Sequence, residues 1–253
     1  MNTTVDTAAR FLVAARRARR PGERMPEALR PADAETAVAI QQRVTELLGL
    51  AVGGWKCSVP TPPRPIPMAP IYASTITSAM PCPILPIAGK ARIEPEIAFE
   101  MARDLTSRDA PYSEAEVRAA IRTPRLVLEL MGPRYIDPTA ATFPELLADG
   151  IANQGLFVGP AIECALDFAL DSFPIIIEAD GTALHSVQGK HPDGHPLKPL
   201  VWLANYLSKR SDGLRAGQVV TTGSYCGVVD LPLHTLLTVR FGEIASLSVE
   251  FSA

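Results

Sequence analysis

The sequence is poor in aromatic residues and has no excess of positive charge. Phe, Trp and Tyr make up 6% of its 253 residues. That is too few for the stacking surfaces with which proteins bind single-stranded nucleic acids. Lys and Arg together number 24 against 27 Asp and Glu, which gives a net charge of −3. Nucleic-acid-binding domains normally carry a basic surface, so we expect no nucleic-acid partner.

Cysteines are few and widely spaced. The four are Cys57, Cys82, Cys164 and Cys226, and no two of them form a C-x-x-C pair. The spacing therefore predicts no zinc site, no redox motif and no disulfide framework. Reduced cysteines are typical of the cytoplasm, which is the location we expect.

Long apolar helices are also missing from the pattern. The apolar stretch 11–15 is too short for a secretory signal and is followed by arginines. The longest uncharged run, residues 65–89, contains six prolines that prevent a continuous helix. We expect no membrane partner, and we interpret the run as loops and short strands.

A run of arginines ends the first predicted helix, residues 5–20. Its members are Arg16, Arg17, Arg19 and Arg20. Cations in a last helical turn interact favourably with the helix dipole. Two interpretations are open: a basic patch for phosphates or nucleic acid, and a solvated helix end, which is the favoured one.

The remaining patterns predict an α+β fold. Residues 34–48 carry apolar side chains at helical spacing, with Asp33 and Gly49 as caps. From residue 54 onward, short runs are separated by Pro and Gly. We expect an N-terminal helical portion, residues 1–52, and a β-rich domain, residues 53–253. Further predicted elements are a strand at 125–131, helices at 113–121, 144–147 and 199–209, and hairpins at 175–187 and 235–251.

Two acidic side chains share one face of a predicted strand. Residues 92–99 (RIEPEIAF) alternate with period two, which places Glu94 and Glu96 on the same side. Two carboxylates at this spacing are close enough to share a cation. The alternative is a half-buried strand whose acidic face is solvated.

A third carboxylate lies in a strand that is apolar on both faces. Residues 125–131 (RLVLELM) place Glu129 beside Val127 and Met131. Strands of this kind are normally buried. An ionised carboxylate in such a place is costly unless it is paired or bound to a metal. The alternative to a metal is a salt bridge to Arg92, Arg125 or Arg134.

Three converging glutamates would suit a hard cation such as Mg²⁺ or Mn²⁺, because these ions prefer oxygen ligands to Cys or His. A cation bound in this way acts as a Lewis acid on a carbonyl oxygen.

Taken in order, several segments resemble the fumarylacetoacetate hydrolase superfamily, in particular its branch of 2-keto-4-pentenoate hydratases and 4-oxalocrotonate decarboxylases. The resemblance extends over residues 34–251. The segments that carry it are 54–56 (GWK), 93–99 (IEPEIAF), 128–130 (LEL), 148–155 (ADGIANQG), 158–159 (VG), 199–205 (PLVWLAN) and 217–224 (GQVVTTGS).

The resemblance implies a β-rich roll of mixed twisted sheets after the helical portion, and a homo-oligomer. It implies that Mg²⁺ or Mn²⁺ is held by Glu94, Glu96 and Glu129, with Lys56 as the catalytic lysine of the pocket. Substrate contacts are implied at Ser58, Asn153, Thr222, Gly223 and Ser224. Purely structural alternatives remain open: a surface lysine at 56, a loop-capping asparagine at 153 and a plain turn at 222–224.

The implied activity is that of a divalent-metal-dependent lyase in the breakdown of aromatic compounds. Its substrate would be a short 2-oxo acid or its dienol, and hydration of the 2-keto-4-pentenoate type through a metal-stabilised enolate is the first candidate. A 4-oxalocrotonate-type decarboxylase or a tautomerase shares that enolate and is the alternative. A non-catalytic partner subunit that binds a metal or an acid is an alternative of another class.

The sequence departs from the family pattern in two segments. The resemblance implies an aspartate at position 132, where this sequence has Gly132. It also implies an acidic pair before the metal strand, which residues 71–75 (IYAST) lack. These losses favour decarboxylation or tautomerisation slightly. The four histidines, His185, His191, His195 and His234, all follow the predicted metal strand. We therefore expect no hydrolytic His–Glu dyad, and we interpret the loop with His191 and His195 as solvated.

Overall fold

The computed structural model describes residues 3–163, 170–210 and 213–253; Cys164 lies outside these ranges. Within them are five α-helices: α1 (Thr3–Ala18), α2 (Ala34–Leu48), α3 (Glu114–Ala119), α4 (Phe143–Ala148) and α5 (Leu197–Ser208). Three short 3-10 helices cover Glu27–Leu29, Ala73–Thr75 and Pro138–Ala140.

The same ranges contain fourteen strands. The first seven are β1 (Val52–Cys57), β2 (Met68–Tyr72), β3 (Ile76–Thr77), β4 (Cys82–Pro83), β5 (Ala91–Met101), β6 (Ile121–Met131) and β7 (Asn153–Ala161). The others are β8 (Ser172–Ala179), β9 (Thr182–Lys190), β10 (Val219–Thr221), β11 (Val229–Leu231), β12 (Leu237–Phe241), β13 (Ala245–Val249) and β14 (Phe251–Ser252).

An eight-stranded sheet forms the centre of the described structure. Its order is β2-β1-β10-β5-β6-β7-β3, and β11 pairs with β5 beside β10. The pairs β1–β10 and β3–β7 are parallel and the others are antiparallel. Because β2 also packs against β7, the sheet curls into a nearly closed barrel. The predicted α+β fold with a β-rich roll is confirmed.

The inside of this barrel has a small apolar core of its own. Five buried side chains from five different strands meet there: Ile71, Ala98, Val127, Leu156 and Val219. The outer face of the sheet packs against the helices in a larger hydrophobic core. The central strands β5 and β6 are therefore buried on both faces, as the sequence of β6 predicts.

Helix boundaries follow local signals in the sequence. Asp33 caps α2 by accepting a 2.7 Å hydrogen bond from the Thr36 amide, and Gly49 ends the helix with φ 64°. Helix α1 ends at Ala18, before its predicted end, because Arg19 adopts a left-handed φ of 52°. None of the described helices combines the length and the apolar character needed to cross a membrane.

A second sheet has four strands in the order β13-β12-β8-β9. It consists of the two predicted hairpins, joined by pairing of β12 with β8. Asp180 and Gly181, at the tip of the β8–β9 hairpin, have φ values of 48° and 75°. Positive φ at both positions fits the tight turn that Asp-Gly predicts. The division of the chain after residue 52 stays a prediction.

Candidate metal centre

Three glutamates meet inside the barrel because of the β5–β6 register. Glu94 on β5 pairs directly with Glu129 on β6, and Glu96 lies two residues further along β5. Side chains two residues apart on a strand share a face. One carboxylate oxygen from each glutamate lies within 4.8 Å of the other two. We call this cluster the triad.

Glu129 is the most enclosed member of the triad. It is fully buried, and its Oε1 accepts hydrogen bonds from Lys56 Nζ at 2.6 Å and from Asn153 Nδ2 at 2.8 Å. Its Oε2 is buried and has no hydrogen-bond partner among the residues that the structure describes. A buried carboxylate oxygen without a partner is costly, since it has lost its hydration without compensation. A cation at the triad would supply that compensation.

Glu96 is held from the neighbouring segment. Its Oε2 accepts hydrogen bonds from the Thr221 hydroxyl and from the Gly223 amide, the latter at 2.7 Å. Burial, followed by the charge of Glu129, raises the pKa of Glu96 to about 8. Burial and Glu129 also raise the pKa of Glu94. Glu94 and Glu96 therefore bind protons more tightly than free glutamates do, because burial and the nearby charge of Glu129 disfavour their ionised forms.

Lys56 reaches the triad across the barrel interior. It lies on β1, three strands away from β6 in the sheet order, yet its Nζ is 2.6 Å from Glu129 Oε1. Nζ also donates to the backbone oxygen of Ile151 at 3.2 Å. Burial lowers the pKa of Lys56, but the charges of Glu129 and Glu94 outweigh this effect and raise it overall. The group is an ammonium ion beside the carboxylates.

The predicted arginine alternative for Glu129 is wrong. Arg92 pairs with Asp230, Arg125 pairs with Glu100 and Arg134 pairs with Asp149. Each of these arginines has an acidic neighbour of its own. Lys56 is the cation that Glu129 contacts, because the curvature of the sheet brings β1 opposite β6.

A left-handed turn holds both Lys56 and Asn153. Gly150, Ile151 and Ala152 have φ values of 86°, 52° and 58°. Positive φ is rare for a β-branched residue such as Ile151. The turn is fixed by hydrogen bonds from the Ile151 amide to Leu146 O and from the Gly132 amide to Ala152 O, both at 2.7 Å. It presents the Ile151 carbonyl to Lys56, and Asn153 directly follows it.

The other predicted contact residues lie around this centre in different ways. Gly223 has φ 124°, which favours glycine, and its amide faces Glu96. Thr222 is fully buried and donates to Ile97 O at 3.2 Å, while Ser224 donates to Gly227 O at 2.9 Å. Ser58 is half-buried at the end of β1. Substrate contacts from Ser58, Asn153 and residues 222–224 stay predictions.

Thr221 was missed by sequence reasoning. It pairs with Lys56 on one side and with Ala98 on the other, so its side chain shares the face of both. Once β10 is placed between β1 and β5, strand alternation points Thr221 at Glu96. The pairing of β10 could not be read from the sequence, since it joins segments more than 100 residues apart.

The chain is similar in sequence to hydratases and decarboxylases. No family model matches the chain. It is 27% identical over 172 residues to a 2-keto-4-pentenoate hydratase from Paraburkholderia xenovorans, covering 67% of this chain and 62% of the hydratase. It is 26% identical over 106 residues to a 4-oxalocrotonate decarboxylase from Pseudomonas sp. CF600, covering 42% and 40%. The chain spans about three fifths of the length of the first curated relatives it matches.

Solved structures agree on the fold. The 4-oxalocrotonate decarboxylase from Pseudomonas putida G7 superposes with a TM-score of 0.78 at 19% identity, over 100% of this chain and 98% of that chain. A Yersinia pestis CO92 protein ascribed to the fumarylacetoacetate hydrolase family gives 0.54 at 18% identity, over 78% and 91%. The predicted resemblance to the hydratase and decarboxylase branch is confirmed. The fold of the chain is that of the fumarylacetoacetate hydrolase family.

The side chain of Gln154 lies close to Gly132, the position where the sequence departs from the family pattern. A Cβ at Gly132 would lie 2.6 Å from Gln154 Nε2. The Gln154 amide is fixed by Leu85 and by Met131 O, with hydrogen bonds of 2.8 Å from the Leu85 amide and to Met131 O. An aspartate at 132 would have to displace Gln154. In this chain the side-chain amide of Gln154 occupies the space beside Gly132.

The loop that carries His191 and His195 is not solvated as predicted. His191 is 1% exposed, and its Nδ1 accepts a 3.1 Å hydrogen bond from the Asp193 amide. Burial lowers its pKa to about 4. Asp193 in turn accepts from the Val59 amide at 2.9 Å. Although Pro192 and Gly194 exclude a helix, the loop packs against β1 and the Gly223 turn, and tertiary packing buries a neutral histidine.

Proposed function

We propose that the chain is a divalent-metal-dependent lyase that acts on a short 2-oxo acid or its dienol. Hydration of the 2-keto-4-pentenoate type is the first candidate. The observation that carries the proposal is the triad, in which Glu96 and Glu129 are buried, Glu129 Oε2 lacks a hydrogen-bond partner in the described part of the chain, and Lys56 Nζ lies 2.6 Å from Oε1. The names of the hydratase and decarboxylase relatives support it.

The donor set fits Mg²⁺ or Mn²⁺. Glu94, Glu96 and Glu129 offer oxygen ligands only, and hard divalent cations prefer oxygen. Three protein ligands leave coordination positions for a chelating substrate. The Pseudomonas putida decarboxylase was solved with magnesium and adipate, and also with calcium and acetate. A cation of this kind supplies Lewis-acid polarisation of a 2-oxo group and the adjacent carboxylate.

Lys56 is the group that holds and moves a proton in this proposal. Its pKa is a balance between burial, which lowers it, and the carboxylate charges, which raise it. A cation held by Glu94, Glu96 and Glu129 would offset the second effect, and Nζ would then give up its proton more readily. Nζ also remains beside the Ile151 carbonyl, which keeps it oriented. It can neutralise the substrate carboxylate or deliver a proton to the carbon skeleton.

The neighbouring residues hold the carboxylates in place before substrate arrives. Thr221 and Gly223 fix one oxygen of Glu96, and Asn153 fixes one oxygen of Glu129. Hydrogen bonds of this kind orient metal ligands and tune their basicity. A site organised in advance spends little free energy on reorganisation during the reaction.

Decarboxylation of the 4-oxalocrotonate type is the second candidate, and Gly132 is the observation that favours it. The position has no carboxylate, and the side chain of Gln154 would have to move to admit one. Hydration requires a base that activates water. Loss of the distal carboxylate of 4-oxalocrotonate as carbon dioxide instead leaves the electron pair of the broken C–C bond in a dienolate, which needs charge stabilisation and then a proton. In this proposal the triad would hold the cation that stabilises the charge, and Lys56 would deliver the proton.

Calorimetric titration of Mn²⁺ into metal-free protein tests the proposal. We expect one ion per chain, bound more tightly with oxalate, which mimics the enolate. If no ion binds in either case, the triad is structural, and a non-catalytic partner subunit becomes the better account.

Product analysis then separates the two reactions. The protein is incubated with the dienol of 2-keto-4-pentenoate and, separately, with 4-oxalocrotonate. Incorporation of ¹⁸O from labelled water into a new C4 hydroxyl group would identify a hydratase, and release of carbon dioxide a decarboxylase. Glu129→Gln should abolish either activity, while Glu100→Gln on the same strand β5 should retain it, because Glu100 pairs with Arg125 away from the triad.

A further inference from the structure

A second cavity lies outside the barrel. It has a volume of about 490 Å³ and is enclosed by the C-terminal ends of α1 and α2, residues 85–87, and residues 132–134 after β6. No acidic side chain is among the described residues of its walls. Five arginines line it: Arg16, Arg17, Arg19, Arg20 and Arg134. We call it the arginine cavity. It uses all four arginines of the run that the sequence analysis interpreted as a solvated helix end.

The two inner arginines share a single counter-charge. Arg134 Nε lies 3.1 Å from Asp149 Oδ1, and Arg16 Nη2 lies 3.7 Å from the same oxygen. The side chains of Arg134 and Arg16 are only 8% and 17% exposed. Burial lowers the pKa of Arg134 to about 10, so it remains charged at neutral pH. Buried charges are normally paired one to one, and here one positive charge is left over.

The outer arginines add to this excess. Arg17, Arg19 and Arg20 are exposed at the rim of the cavity, and none forms an ion pair with a described acidic residue. The cavity therefore combines a cationic rim with a cationic floor. An anion entering it would be attracted by both.

The arginine cavity is distinct from the triad. Asn153 turns its amide to Glu129 inside the barrel, whereas Gln154, the next residue, turns its amide to Leu85 and lines the cavity. A register shift between Leu130 and Met131 leaves Gln154 unpaired in the ladder, and its side chain turns away from that of Asn153. The two sites thus lie on opposite sides of β7.

The remaining walls indicate what the anion looks like. They are largely apolar and include Leu48, Leu50, Leu85, Pro86 and Ile87, with Thr75 and Gln154 as polar members. Guanidinium groups bind carboxylates with paired, charge-assisted hydrogen bonds. The volume lies within the range of small-molecule sites. We propose that the arginine cavity binds a small organic anion, with one or two carboxylates on an apolar body, at a site separate from the triad.

Calorimetric titration of benzoate into metal-free protein tests this proposal, with benzamide as the neutral analogue of the same shape. Without a cation, the triad is a cluster of carboxylates and repels benzoate, so binding reports the arginine cavity. We expect one benzoate per chain, weaker binding at high salt, and no binding of benzamide at the same concentrations.

Three variants localise the site. The double variant Arg17→Gln/Arg20→Gln should weaken benzoate binding at least about tenfold, because two charge-assisted contacts are lost. Leu50→Glu should abolish it by placing a carboxylate in the cavity. Arg103→Gln, at an exposed arginine outside the cavity, should leave it unchanged. The far-ultraviolet circular dichroism spectrum and the melting temperature should be close to those of the unaltered protein in all three, which shows that each variant is folded.

The proposal is overturned by any of three results. These are the absence of benzoate binding, equal binding of benzamide, and unchanged benzoate affinity in the double arginine variant.

Discussion

The two sides of strand β7 carry charge of opposite sign. Inside the barrel, three glutamates face one lysine; outside, two buried arginines share one aspartate and three further arginines surround them. Each cluster lacks counter-charge, and the shortage is costly because the dielectric constant of a protein interior is low. The comparison indicates a cation for the inner cluster and an anion for the outer one.

A short piece of backbone joins the two clusters. Asp149 precedes the left-handed turn and Asn153 follows it. From outside, Arg134 donates to the backbone oxygens of Gly132 and Asn153, and Arg16 donates to the backbone oxygen of Asp149. From inside, Lys56 and Glu129 bind the other side of the same segment. The outer ion cluster therefore helps to hold the inner one in position.

The largest effect is expected from Asp149→Asn, which removes the carboxylate that both Arg16 and Arg134 contact. Two buried guanidinium groups, Arg16 and Arg134, would lose their counter-charge, at a cost of about 3–5 kcal/mol in the free energy of unfolding. Urea denaturation of the metal-free protein measures it. The matched control is Glu35→Gln, in an exposed ion pair with Arg210, which should change stability little. If Asp149→Asn and Glu35→Gln lowered the free energy of unfolding equally, the shortage of negative charge around Arg16 and Arg134 would be contradicted.

Glu129→Gln should have the next largest effect, on the inner cluster alone. Removal of a ligand charge is expected to weaken Mn²⁺ binding at least about 100-fold, which corresponds to about 2.7 kcal/mol. Calorimetric titration measures the change, with Glu100→Gln as the control on β5. Unchanged Mn²⁺ affinity in Glu129→Gln would show that the triad does not hold the ion.

The affinity of the triad for Mn²⁺ should rise with pH. The pKa of Glu96 is raised to about 8, so this carboxyl group keeps its proton at pH 7 and a cation must displace it. Affinity is then expected to increase by about tenfold per pH unit up to pH 8 and to level off above it. Titrations from pH 6 to pH 9 test this, and an affinity independent of pH would show that Glu96 is already ionised.

The smallest expected effect is a difference in Mn²⁺ affinity between variants at two adjacent residues. Asn153→Ala should weaken Mn²⁺ binding by about tenfold, because Glu129 loses a hydrogen bond that orients it. Gln154→Ala should leave Mn²⁺ affinity unchanged, since its amide faces the other side of β7. The same calorimetric titration compares them. Equal losses in both variants would mean that the hydrogen bond from Asn153 to Glu129 is not what positions the ligand.

Much of the candidate site follows from local sequence patterns. The alternation of residues 93–99 places Glu94 and Glu96 on one face, and the apolar neighbours of Glu129 indicate its burial. The resemblance adds Lys56 as their neighbour, although its catalytic role stays a prediction. The interpretation of the His191 loop as solvated was wrong because Pro and Gly describe the backbone locally, whereas the burial of His191 depends on packing against β1 and Gly223.

The sequence by itself determined the elements whose causes are local. These are the helix caps at Asp33 and Gly49, the Asp-Gly hairpin turn, and the period-two alternation of β5. Such signals act within a few residues, so they are present in the chain before it folds. Only the tertiary structure decided which charges meet. Closure of the barrel brings Lys56 to Glu129, and the packing of α1 brings Arg16 to Asp149. These contacts join distant segments, and their geometry depends on the curvature of the whole sheet.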